Sequence, residues 1–86
     1  MPNEREPILV EREKTHGSFS ENAKAAQDMK DVFIKHGYGT FRPEYREAMD
    51  LIATKFGRIL SGGPNHKEHW LDAAGYCKLA MEACDD

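Results

Sequence analysis

His69, Asp72 and Tyr76 recur at three- and four-residue spacing within "NHKEHWLDAAGY", Asn65 to Tyr76. On a helix that turns 100° per residue they fall within about 60° of one another. They form a polar stripe beside an apolar face rather than opposite it. The preceding segment supplies cations, Lys55 and, one turn on, Arg58. One chemistry that fits is an anion or nucleotide pocket. There Lys55 and Arg58 take phosphate, Asp72 takes a metal ion or a ribose, and Tyr76 stacks or hydrogen-bonds. The other is an interhelical Lys/Arg–Asp pair with Tyr76 bonded across it. A transition-metal site on His66, His69 and Asp72 fits less well, because that spacing drifts about 120° around a helix. His66, close to the helix start, reads as a first-turn polar residue.

Two further concentrations of polar chemistry stand upstream. Glu44, Glu47 and Asp50 are three apart, a spacing at which carboxylates share a helix face and can hold Mg²⁺ through oxygen ligands. Acidic residues in a first turn also suit the helix dipole, and Asp50 lies four residues from Arg46, at ion-pair spacing. "EREKTHGSF", Glu11 to Phe19, precedes a helix start, and Thr15 and His16 there could join free N–H groups in holding a phosphate. A solvated charged turn is the plainer account. No glycine-rich phosphate loop and no nucleophile–base pair is marked in the chain, which argues against a serine or cysteine hydrolase.

The elements that position these groups are set by punctuation. Gly17, "GYG" at Gly37–Gly39 and "GGP" at Gly62–Pro64 are breaks, and three segments of helical length lie between and after them. The first is predicted over about 18–36, entered through the capping pattern "SFSE", with Phe19, Asn22, Ala26, Met29 and Phe33 inward. The second runs over about 43–61 from Pro43, a residue suited to the first helical position. Its broad stripe is Tyr45, Ala48, Met49, Ile52, Phe56, Ile59 and Leu60. The third covers about 65–84, with Trp70, Ala73, Ala74, Cys77, Met81 and Cys84 on one face. Gly75 interrupts it at a cost of about 1 kcal/mol against alanine; either another backbone or ligand comes close there, or a weak spot is tolerated. Residues 1–16 read as an arm or a short helix, whose apolar "ILV" at Ile8–Val10 packs on something, another subunit included.

The expected fold is therefore all-α: one domain over 1–86, a small bundle of three main helices. The chain has 86 residues, and chains of this size bury only about 60% of their unfolded surface. Association hides apolar surface that one subunit cannot cover, so a homodimer is expected. A net charge of −3 without a basic cluster argues against nucleic-acid binding. "PILV" is too short for a signal peptide or a membrane span, which leaves the cytoplasm as the expected location. Cys77 and Cys84, two turns apart on one helix face, are too far apart for a disulfide and read as core thiols in a reducing compartment.

Taken together, "EKTHGSFSEN", "ATKFGRILSGGPNHKEHWLDAAGY" and the trailing "CKLA" resemble a family of short, uncharacterised phage and prophage proteins. The resemblance spans about Glu11 to Ala80 and falls on Thr15, His16, Gly17, Asn22, Lys55, Arg58, Asn65, His66, Trp70, Asp72, Gly75 and Tyr76. It departs at Ser18 and Glu68, where aspartate is more usual. It implies a phage or prophage accessory protein of unassigned activity in the host cell cytoplasm, and the first expectation is that it binds a ligand, such as a nucleotide, or a host protein without catalysis. The ligand residues would be His16, Asn22, Lys55, Arg58, His66, Asp72 and Tyr76. The last helix is also distantly similar to the carboxylate helix of all-α nucleotide pyrophosphohydrolases. That similarity implies an alternative, Mg²⁺-dependent cleavage of nucleoside triphosphates with Asp72 as metal ligand and Lys55 or Arg58 on the phosphates. A third expectation is an inhibitor of a host defence or replication protein that works by surface contact.

Overall fold

The computed structural model describes residues 6–86. Four helices follow one another: α1 (Pro7–His16), α2 (Phe19–Lys35), α3 (Pro43–Gly62) and α4 (Lys67–Glu82), with one 3-10 turn at Tyr38–Thr40 between α2 and α3. No strand occurs among the described residues. The all-α class holds, with four helices where three main ones were expected. The added helix is the short alternative for the N-terminal arm; the part of that arm before residue 6 lies outside the described residues. No helix among the described residues is long and apolar enough to cross a membrane.

Local chemistry sets the helix ends. Pro7 and Pro43 open α1 and α3, where a missing N–H costs nothing. The Ser18 hydroxyl oxygen accepts from the Glu21 N–H at 3.1 Å, and the hydroxyl donates to the Glu21 carboxylate at 3.2 Å. This departs from the usual capping box, in which the carboxylate reaches a backbone N–H. At the far end Gly37, at φ 88°, turns the chain out of α2.

α3 is the central element. A Cβ on Gly57 would stand 2.6 Å from the Asn22 carbonyl oxygen, so α2 lies directly against α3 there. Lys55 reaches the other way, to Asp72 on α4. Two residues apart on a helix are 200° apart around its axis, so α2 and α4 flank α3 on nearly opposite sides. The result is a small helical bundle flattened into a layer, and its shortest dimension is 18 Å. α1 crosses the C-terminal end of α3, where Gly62 abuts the Thr15 carbonyl and Gly17 abuts Ser61. The Tyr45 hydroxyl and Arg42 both donate to the Ala83 carbonyl, at 3.1 and 2.9 Å, and fasten the end of α4 to the start of α3.

The buried apolar residues among those described are Ala26, Ala48, Ala53, Ala73 and Ile59. Small side chains let the helices approach closely, but they bury little apolar area. Several expectations fail for this reason. α4 is rotated from the expected orientation: His69, 2% exposed, and Ala73 face inward, whereas Trp70 is 48% and Met81 64% exposed. Ala74, Cys77 and Cys84 are exposed too, so neither cysteine is a core thiol. Phe19, Phe56 and Leu60 also lie exposed rather than inward. Polar partners decide the rotation of α4. In this rotation the buried His69 reaches the Thr15 carbonyl and the partly exposed Asp72 reaches Lys55, and these polar contacts offset the apolar burial that α4 gives up. Trp70 is held outside by its own N–H, which donates to the Pro64 carbonyl at 2.8 Å. Asp50 likewise takes a partner other than Arg46: it accepts from the Tyr38 hydroxyl at 2.8 Å, while Arg46 Nε donates to the Phe41 carbonyl at 3.1 Å.

Candidate functional site

Where α1 meets α2 and α3, a cleft of about 630 Å³ opens. Helical spacing on α1 brings Ile8, Arg12 and His16 to one side of it, at i, i+4 and i+8. α2 contributes Phe19 and Asn22 from its first turn, and α3 contributes Thr54 and Arg58, again four apart. Arg12 and Arg58 have no carboxylate within ion-pairing distance among the described residues; Glu13 is the one acidic residue in the lining. The cleft thus joins two guanidinium groups and a histidine to the apolar surfaces of Ile8, Leu9 and Phe19.

The floor is held by hydrogen bonds to the end of α1. The Ser61 hydroxyl donates to the His16 carbonyl at 2.8 Å, and the Asn22 amide donates to the same oxygen at 3.5 Å. This keeps Asn22, a buried polar residue, satisfied where α2 touches α3. The Thr15 hydroxyl lies 2.6 Å from His16 Nδ1. Burial, followed by the neighbouring Arg58, His69, Arg12 and His66, lowers the His16 pKa to about 4, so its ring is neutral at pH 7.

Three histidines meet behind this cleft. The His69 ring packs edge-on against His16 and against His66, each with centroids 4.7 Å apart. His69 Nε2 is 3.0 Å from the Thr15 carbonyl oxygen, which can only accept, so that nitrogen carries the proton. The cluster is a packing joint between α1 and α4. Among the described residues no group of three or more His, Cys, Asp or Glu side chains is arranged to hold a metal ion. A smaller hollow of about 260 Å³ lies beside it, lined by Lys14, Thr15, Asn65 and His66.

The seven candidate ligand residues therefore separate. His16, Asn22 and Arg58 share the cleft. His66 reaches the His16 ring, at 6.4 Å between centroids, but lines the smaller hollow. Lys55 and Asp72 are elsewhere, paired across the α3–α4 contact with Lys55 Nζ 3.0 Å from Asp72 Oδ2. Tyr76, half-buried on α4, makes no hydrogen bond to either among the described residues. The proposed Asp72 metal ligand thus has its oxygen against an ammonium group. Arg12 and the joint made by His69 were missed by the sequence reading. The signal for Arg12 was its four-residue spacing from His16, usable only once α1 is a helix. No family model, no curated protein and no solved structure matches the chain.

Proposed function

We propose that the chain is a small all-α binding protein that acts without turnover, in keeping with the phage-type accessory role implied by the sequence resemblance. Its ligand site is the cleft between α1, α2 and α3. The ligand class joins an anionic group, carboxylate or phosphate, to an apolar or aromatic body. One observation carries this reading: Arg12 and Arg58, neither paired with a carboxylate among the described residues, line the same cleft as Ile8, Leu9 and Phe19. A guanidinium group can take a planar carboxylate or a phosphate with two parallel hydrogen bonds, while the apolar wall covers the rest of the molecule.

The test is thermal stability with two panels, nucleotides and medium-chain fatty acids, each with and without Mg²⁺. A ligand at 100 times its Kd adds about 2.7 kcal/mol, which moves the midpoint by several degrees in a domain this small. Arg58→Ala should abolish the shift and leave the unliganded midpoint nearly unchanged, because it breaks no ion pair among the described residues. A shift that survives Arg58→Ala would place the ligand elsewhere; no shift with either panel removes the reading. The pyrophosphohydrolase alternative has no comparable support. Its metal ligand, Asp72, is paired with Lys55, and the described residues offer no cluster of three donors. Release of pyrophosphate from a nucleoside triphosphate, abolished by EDTA and by Asp72→Asn, would reinstate it.

A further inference from the structure

Phe56 on α3 and Trp70 on α4 have their rings 6.4 Å apart, on a side of the layer that no other described helix covers. Leu60 extends this surface along α3, four residues from Phe56. Ala74, Cys77 and Met81 extend it along α4, at four, seven and eleven residues from Trp70. All six are exposed: Phe56 by 39%, Leu60 by 71% and Met81 by 64%, with Ala74 and Cys77 beside them. The sequence pattern of α4 is therefore a genuine apolar stripe that the fold of the described residues leaves exposed. It contains no charged residue. We infer that this face is the contact between two copies of the chain, related by a two-fold axis.

The choice of a second copy rests on three observations. First, the patch is apolar and uncharged, so it is complementary to itself, which a two-fold contact requires because the same surface meets on both sides. The net charge of −3 resides outside it and sets no like charges opposite one another at its centre. Second, the six side chains present about 500 Å² of apolar surface, more than half of the 800 Å² that each partner of a standard interface contributes. Third, four alanines and one isoleucine make up the buried apolar residues among those described, a core too small to leave this surface unused. The contact uses none of the residues that line the cleft between α1, α2 and α3, and it holds or fails independently of the ligand.

Sedimentation equilibrium of the full chain, from micromolar to submillimolar concentration, tests it. The expected species has the mass of two 9.8 kDa chains. Leu60→Glu and Met81→Glu, both at positions open to water within one chain, should each give a monomer with unchanged helical circular dichroism. Trp70 fluorescence should move to shorter wavelength as the dimer forms and should not move in either variant. A wild-type chain that stays monomeric throughout the range overturns the inference, and points to a different partner for the face. A dimer that both glutamate variants leave intact overturns it equally, by placing the contact elsewhere.

Discussion

At the scale of single residues, the best-defined electrostatic effect belongs to His16. Its pKa of about 4 in the folded chain lies below the ordinary 6.5, so on acidification the unfolded chain takes up a proton first. The stability tied to the neutral ring is complete above pH 6.5 and is lost as the pH falls through 4. The half-exposed site screens the effect, which leaves about 1–2 kcal/mol. Melting temperature measured from pH 7 to pH 4 should fall less steeply in His16→Gln than in wild type; parallel curves would mean the ring titrates normally. Lys55 and Asp72 test a different idea. Asp72→Ala strands a largely buried ammonium group and should cost about 1–3 kcal/mol. Lys55→Met together with Asp72→Leu should recover most of it by denaturant titration. If Asp72→Ala alone is neutral, the pair is not structural and Asp72 is available for a ligand.

At the scale of helices, two glycines that look alike in sequence have opposite environments. Gly57 sits against the α2 backbone, where a Cβ would be 2.6 Å from the Asn22 carbonyl oxygen, whereas a Cβ on Gly75 meets nothing within 4 Å. Gly57→Ala should therefore destabilise by about 1–3 kcal/mol, since the helix-propensity gain is smaller than the cost of forcing the helices apart. Gly75→Ala should stabilise by about 0.5–1 kcal/mol. Chemical denaturation of the two variants reads both signs. Helix existence and ends were legible because Pro43, Ser18 and the glycine breaks act locally. The rotation of α4 was not. A wheel weighs apolar side chains, but His69 and Asp72 turn this helix through bonds to Thr15 on α1 and Lys55 on α3, partners many residues away. The cleft was half legible for the same reason: His16, Asn22 and Arg58 were singled out, but Arg12 and the apolar wall required α1 to be folded against α3.

At the scale of the whole molecule, apolar surface is distributed in a way that one chain does not resolve. Large side chains such as Leu60 and Met81 stand in water while alanines occupy the interior. A monomer built this way has little burial to set against chain entropy, and its stability should depend on what covers the open face. Dimerisation ties the two quantities together, because the folded dimer is favoured by mass action. The melting temperature should therefore rise with protein concentration, by a few degrees for each tenfold increase in a domain of this size. Leu60→Glu should melt at one temperature at every concentration, below the wild type at the highest. A wild-type midpoint that does not move with concentration, in a chain that sediments as a dimer, would mean that the subunits separate before they unfold, and that α2, α3 and α4 hold together on their small core alone.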